Sequence, residues 1–318
     1  MAKFLLRRFA FSIFALIGAT LVTFGLSRMA GDPRYLYAQE GGYGITEERW
    51  DSLGIELGLN WKDGTPKPVV FQYSVWLGNI VRGNWADSLL DRKPVINKIK
   101  ERIPPTLKMG LAAYIFATVI GIPLGVLSAV RRATFWDYMG RGFALLGQAM
   151  PVFWVGIMLV LVFSVQLRWL PTGTLGESGN NPKYFVLPTI TLGWIAAASY
   201  LRLVRSAMLE VMDSEFIKLA RAKGVPNMVV IWKHGFKNAL IAPLTFSSLI
   251  LTGFITGAVV TETIFSIPGL GRLAFESIQN NDFPVMVGTV LVFTFMYVFI
   301  NFVTDLLYAV IDPRIRFA

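Results

Sequence analysis

"EFIKLARAKGVPNMVVIWKHGFKNALIAP" spans Glu215–Pro243. The fold turns on why so long a basic segment lies between two stretches apolar enough to cross a membrane. Asp213 or Ser214 can cap a helix that begins near Glu215. Glu215 falls in its first turn, where the helix dipole favours negative charge. Lys218, Arg221 and Lys223 fall later, where it favours positive charge. Gly224 stands where a left-handed C-terminal residue belongs, and Pro226 prevents continuation. Asn227 can cap a second helix through Trp232 and beyond. The pattern predicts helix, sharp bend, helix. Ala220, Ala222 and Gly224 form a low-profile ridge at the bend, which a partner's groove can accept. A plain charged loop accounts for the cations, but not for two capped helices around a small-residue bend.

Hydrophobic residues make up 54% of the 318-residue chain and charged residues 16%. With a mean hydropathy of +0.54, this is the make-up of a multi-span membrane protein, so an all-α membrane fold is expected. The chain has no cysteine, which excludes disulfides and thiolate metal sites. Its lone histidine, His234, excludes a His-rich metal cluster. The net charge of +10 suggests nucleic acid at first sight. A bias of Lys and Arg toward the cytoplasmic side of a membrane accounts for it without that partner. No Gly-Lys pair occurs, so there is no Walker-type phosphate loop, and neither G-x-S-x-G nor H-E-x-x-H is present. A Ser–Lys or carboxylate mechanism is not excluded by motif, but nothing points to one. Neither enzyme activity, nor a cofactor, nor a bound metal is expected.

A membrane-crossing helix needs about 20 apolar residues. Six windows qualify: about Phe9–Leu26, Leu107–Val130, Phe143–Val165, Phe185–Leu201, Leu240–Val260 and Val285–Ile311. The fourth is the weakest, with Pro188 near its start. The first also reads as a signal peptide, since Lys3, Arg7 and Arg8 precede it, but its apolar run is long and no clean small-x-small cleavage pattern follows. An uncleaved anchor is expected. Positive charge gathers at the N-terminus, at Arg131, Arg132 and Arg141 between windows two and three, through 202–239, and at Arg314 and Arg316. The loop between windows five and six instead sets Arg272 against Glu262, Glu276 and Asp282. Both termini and the opening segment are therefore expected in the cytoplasm of a multi-pass protein of the plasma (inner) membrane. Residues 1–105 read as a leading helix with a long outer loop, and 106–318 as a five-helix core whose cytoplasmic segment is 202–239.

In the outer loop, Gly31–Asn60 is polar with few structure signals. Phe71, Val75, Trp76, Ile80, Val81 and Trp85 then recur at helical spacing, as in a short interfacial helix. Val95, Ile96, Ile99 and Ile103 mark a second amphipathic turn or two, which Pro104-Pro105 is expected to end. Packing against the bundle or bilayer and docking of an external partner both fit this region. Gly121 with Gly125, and Gly253 with Gly257, sit four apart and permit close helix contact, within the subunit or with a second, similar one. Asn301, Thr304, Asp305, Tyr308 and Asp312 share one face of the last window. A carboxylate there belongs in the bundle or a wet cavity, as an ion-pair partner or in a proton relay.

The opening segment resembles the cytoplasmic EAA loop of ABC importer permeases, and most closely the peptide and nickel transporter permeases of the dipeptide/oligopeptide "B" type. Ala220-Arg221-Ala222-Lys223-Gly224 is followed by His234, Asn238-Ala239-Leu240 and Pro243, as in that group. Lys218 stands where the general pattern has Glu. "RMAGDP" (Arg28–Pro33), "ETIFSIPGLGRL" (Glu262–Leu273) and "DLLYAVIDPRIRF" (Asp305–Phe317) are similar to other family signatures. "GNWADS" (Gly83–Ser88) departs from the family's G-D-x-G-x-S. The likeness covers nearly the whole chain.

The resemblance implies a type I ABC importer permease fold with six transmembrane helices. It implies a complex with a homologous second permease, two ABC ATPase subunits and an extracytoplasmic substrate-binding protein, all serving alternating access in the lipid bilayer. It implies that the ATPase docks on Leu219, Ala220, Arg221, Ala222, Lys223, Gly224, Val225, Pro226, Asn227, Met228 and Val229. Ala220, Ala222 and Gly224 supply shape there, and Arg221 and Lys223 supply charge. Family cargoes include dipeptides, oligopeptides, nickel complexes and oligosaccharides. The alternative from residues alone is a self-sufficient channel or proton-coupled carrier that uses Asp305.

Overall fold

The computed structural model describes residues 2–29, 32, 34, 35, 46–173, 181–256 and 258–311. Their regular structure is helical apart from two isolated bridges, Asn60 with Pro66 and Asp87 with Pro94. Ala30, Gly31, Pro33, Gly257, Asp312, Arg314 and Arg316 lie outside the described residues. The chain divides into two compact units, Met1–Ile103 with Leu273–Ala318, and Pro104–Arg272.

The first unit contains α1 (Ala2–Met29), α2 (Glu47–Glu56), α3 (Val69–Val81), the opening turns of α4 (Val95–Val130) and α14 (Phe283–Ile311). The apolar run of α1 leaves Phe11, Phe14 and Val22 exposed, as lipid permits. Another side of α1 packs on α14, where Phe9 meets Phe302 edge-on. The helix predicted from Phe71 through Trp85 is α3, which ends short of Trp85 at Val81, and its Tyr73 and Trp76 close over the buried Phe24 of α1. Trp85 lies beyond the end of α3 and donates from Nε1 to the Ile80 carbonyl at 3.0 Å. The polar stretch that offered few signals carries α2, which Thr46 caps by accepting from the Arg49 N–H.

Beyond α3 the chain turns twice in left-handed conformation, at Gly83 (φ 84°) and at Ala86 (φ 61°). The turn that follows, closed by the Asp87–Pro94 bridge, is pinned to Asp282, the residue just before α14. Ser88 Oγ and the Leu89 N–H both donate to the buried Asp282, and Lys98 reaches Ser88 Oγ at 3.0 Å. Alanine at Ala86 is strained by its Cβ, by about 1 kcal/mol. This is also the position where the resembling pattern carries glycine.

The second unit holds the rest of α4, then α5 (Phe135–Ala149), α6 (Val152–Leu159) running into a π-helical turn (Val160–Gln166), and α7 (Lys183–Met212). Next come α8 (Glu215–Ala222), α9 (Asn227–Val229), a second π-helical turn (Val230–Phe236), α10 (Lys237–Ala239), α11 (Ile241–Thr256) and α12 (Val259–Ile264). Helix α13 (Leu270–Gln279) begins here.

Among the described residues, four helices are long and apolar enough to cross a membrane: those containing Leu6–Met29, Val95–Val130, Lys183–Met212 and Phe283–Thr304. The third window is α5 and α6, bent by 105° at Met150-Pro151, and counts as a fifth only if the pair is one span. Proline forces the residue before it into extended conformation, and Met150 has ψ 126°. Helix α11, in the fifth window, has 16 residues and falls short of a full crossing.

Pro104 and Pro105 do not end a helix as expected; they lie inside α4. Each proline removes a helix hydrogen bond and clashes with the turn before it, at about 3 kcal/mol. Burial on either side of the pair offsets this. Val95 and Ile99 are buried before it, and Met109, Ala113 and Ala117 after it. Between them, Thr106 Oγ1 donates to the buried Glu262 carboxylate at 2.6 Å and accepts from the Leu270 N–H at 2.8 Å. Glu262 also accepts from the Arg272 N–H at 2.8 Å, so the "SIPGLGR" turn is gathered onto α4.

Gly121 and Gly125 pack within this chain. A Cβ on Gly121 would fall 2.5 Å from the Ala197 carbonyl oxygen, and one on Gly125 would fall 2.7 Å from Val204 Cβ. Gly193 of α7 is equally tight against the Ala113 carbonyl. A Cβ on Gly253 meets nothing. One turn further along, Arg205 of α7 grips the buried Asp137 of α5 with Nε at 2.7 Å and Nη2 at 3.0 Å. Ser128 of α4 donates to the same carboxylate at 2.7 Å, and the Ala133 N–H at 3.0 Å. Three helices thus meet on one carboxylate.

Replacing Ala86 by glycine is expected to raise stability by about 0.5–1 kcal/mol, read as a higher melting midpoint of the detergent-solubilised chain. Asp137→Ala leaves Arg205 without its partner and should cost about 3 kcal/mol, whereas Asp137→Leu with Arg205→Met should recover much of that loss. Equal melting midpoints for the single and double variants would exclude a bound pair at this position.

Candidate functional site

Helix α7 does not stop where its apolar stretch ends at Leu201. It runs on through Arg202 and Arg205 to Met212, so the charged segment starts as a rigid extension of a membrane helix. A tight turn at Asp213 and Ser214 then opens α8. Ser214 takes the N-cap position, but its hydroxyl donates back to the Val211 carbonyl at 2.5 Å and does not cap the helix. Glu215 pairs with Lys218 at 2.7 Å on the exposed face.

The bend follows the sequence closely. Gly224 has φ 74°. The Gly224 N–H donates to the Arg221 carbonyl at 2.9 Å and the Val225 N–H to the Ala220 carbonyl at 3.2 Å. This is a Schellman closure, which satisfies the Ala220 and Arg221 carbonyls at the end of α8. The second helix begins one residue earlier than expected. Pro226 is its N-cap and accepts from the Val229 and Val230 N–H groups, while Asn227 is already helical and makes no cap bond. A proline can close the preceding bend and open the next helix, because the missing N–H has no partner to lose at that position.

Three buried side chains fasten the segment: Ile217 of α8, and Val230 and Ile231 of the π-helical turn. Gly235 lets that turn lie against α7, where a Cβ would come 3.0 Å from Met212 Sδ. The widened turn fits because Met208, Val204, Val126 and Ala239 form an apolar cluster beneath it.

The residues left outside are Leu219 (56% exposed) and Met228 (66% exposed), with Arg221, Ala222, Lys223, Gly224, Pro226, Asn227 and Val229. Ala220 and Val225 are half-buried. Two exposed apolar side chains flank the expected stretch, Phe216 and Trp232. Phe216 stands three residues before Leu219 and Trp232 four after Met228. That helical spacing was the available signal for both. The surface is therefore a hydrogen-bonded bend with an apolar rim and cations among it.

The polar stripe lies elsewhere, on α14. Asn301 donates from Nδ2 to the Tyr297 carbonyl of its own helix at 2.9 Å, and Thr304 is half-buried. The backbone of Asp305 and Tyr308 continues α14, but their side chains lie outside what is described. Among the described residues no group of three or more His, Cys, Asp or Glu side chains is placed to hold a metal ion.

The backbone resembles a solved chain of the inward-facing MetNI methionine ABC transporter, with a TM-score of 0.54 over 67% of this chain and 96% of that one, at 19% identity. It shares that chain's helical fold. In sequence, the chain is 39% identical to the dipeptide transport system permease protein DppB of Escherichia coli K12, over 99% of both. It is 37% identical to a putative peptide transport system permease protein of Brucella abortus, over 100% of both. It is 35% identical to the DppB protein of Alkalihalophilus pseudofirmus, again over 100% of both. Residues 121–317, which contain the bend and its anchors, match the family of binding-protein-dependent transport system inner membrane components. A self-sufficient carrier has no place in such a system. The chain belongs to that family, as a membrane-embedded permease component and not an enzyme.

Proposed function

We propose that this chain is one of two homologous permeases in an ATP-driven importer of peptides or similar small solutes. Two ABC ATPases act on one side and a substrate-binding protein on the other. The cargo class rests on relatives at 35–39% identity that are dipeptide and peptide transport permeases. In this reading the fold is of the type I importer kind and has six crossings. Four are the long helices, one is the bent pair α5–α6, and the last is α11 together with the residues around it. The bias of Lys and Arg supports cytoplasmic termini and a cytoplasmic bend. The open face at Gly253 suits the second permease.

The observation that carries the coupling role is the Schellman bend at Gly224, which presents Leu219 and Met228 on a stiff support. ATP shifts the gate only through contacts that differ between the two states. A push on the bend passes through Ile217, Val230 and Ile231 into α7. The Asp137 pair then obliges α4 and α5 to follow. Tyr200 of α7 donates to Ser247 at 2.7 Å, so α11 is drawn along as well. Alternating access becomes the tilting of a braced set of helices.

Gly224→Val forces a β-branched residue into a left-handed turn. Uptake of labelled dipeptide by membrane vesicles should be abolished while the complex still reaches the membrane in normal amount. Leu219→Asp with Met228→Asp should weaken ATPase association about thirtyfold or more, as loss of two interface anchors does. Normal uptake by the Gly224 variant, or uptake by the isolated chain without ATP, would sink the proposal.

A further inference from the structure

A groove of about 350 Å³ opens beside the Asp137 pair, between α5 and α7. Arg141, Arg202 and Arg205 line it, together with Ala144, Leu145 and Leu201. The three arginines are not equivalent. Arg205 commits Nε and Nη2 to Asp137. Arg202 donates only to the neutral Gln148, at 2.8 Å. The guanidinium of Arg141 stands 5.6 Å over the Tyr138 ring. Among the described residues, neither Arg141 nor Arg202 has a carboxylate partner. Two uncompensated cations therefore face the same opening from two helices.

Position decides what answers them. The apolar stretch of α7 ends at Leu201, and Arg202 is the next residue. On α5, Arg141 lies one turn before Leu145, which is 71% exposed. The groove thus has an apolar wall on the hydrocarbon side and a cationic wall one turn beyond it. With the apolar stretch of α7 set in the hydrocarbon, that wall falls at the level of the lipid phosphates. Basic pockets between membrane helices at that level suit anionic head groups. Guanidinium groups also bind phosphate oxygens through paired N–H donors.

We infer that this groove is a binding site for the head group of an anionic phospholipid, with Arg141 and Arg202 as its phosphate ligands and Leu145 against its acyl chain. The site adjoins the carboxylate that ties α4, α5 and α7 together, so an occupied groove braces the same three helices. The inference rests on the reading above in which α7 and the bent α5–α6 pair cross the membrane. It does not depend on which solute is carried or on where the ATPases dock.

The test is native mass spectrometry of the full chain released from nanodiscs of phosphatidylcholine mixed with phosphatidylglycerol. The wild type should retain phosphatidylglycerol in preference to phosphatidylcholine. Arg141→Gln with Arg202→Gln should lower that retention about thirtyfold, about fivefold for each charge removed. Arg131→Gln with Arg132→Gln, which removes two cations of the neighbouring turn, should leave retention unchanged. Melting midpoints in pure phosphatidylcholine discs should be equal for all three proteins, which separates lost binding from lost folding. Equal phosphatidylglycerol retention by the Arg141/Arg202 variant overturns the site. So does stabilisation of the wild type by inorganic phosphate alone to the degree given by phosphatidylglycerol, since the groove would then take a free anion.

Discussion

The closeness of α4 and α7 governs everything else in residues 104–272. In hydrocarbon two helices gain nothing by hiding apolar side chains from each other, because lipid is as apolar as leucine. What holds them is contact between backbones. Gly121, Gly125 and Gly193 provide it, each so near a carbonyl or Cβ of the other helix that an alanine has no room. Tyr200, Leu201 and Val204, fully buried or nearly so, then fill the ridge beside them. The line of α7 is fixed by this seam. The direction in which α7 leaves its apolar stretch fixes where the basic segment stands.

At the end of the seam the chemistry changes from contact to charge. Asp137 is almost completely buried, and a carboxylate there is costly unless every oxygen is answered. Two donors from Arg205, one from Ser128 and one from the Ala133 backbone answer it. A fully satisfied buried network specifies geometry more than it adds stability. Its value here is that α4, α5 and α7 cannot slide past one another independently. The glycine seam sets their distance and the ion pair sets their register.

The sequence carried more of this than its proline pattern suggested. The bend at Gly224 was legible because left-handed glycine and a following proline are local events, settled within about four residues. The same local logic failed at Pro104-Pro105, where buried Val95, Ile99 and Met109 hold the helix through the prolines. It failed in the opposite sense at Met150-Pro151, inside an apolar window that read as continuous and is bent by 105°. Asn227 was expected as a cap, yet Pro226 holds that place. Nothing local announced the partner of Asp137, since Arg205 lies in another helix and reads in sequence as one more cytoplasmic cation. The polar face from Asn301 to Asp305 was legible as a face, but one member, Asn301, turns out to bond its own backbone.

Exposed apolar side chains mean different things in different parts of this chain. On α1, Phe11, Phe14 and Val22 stand out from a run with no charge between Arg8 and Arg28, and lipid solvates them. On the bend, Phe216, Leu219, Met228 and Trp232 stand out among Lys218, Arg221, Lys223 and Lys233. Hydrocarbon cannot solvate that mixture, and water solvates the apolar members poorly. Burying one such side chain is worth about 1.5–3 kcal/mol. A loop needed only for its positive charge has no reason to hold four of them outward on a support as stiff as a Schellman closure. Apolar rim and interleaved cations on a hydrogen-bonded bend are the support for the proposed protein partner there, since neither solvent alone suits that mixture.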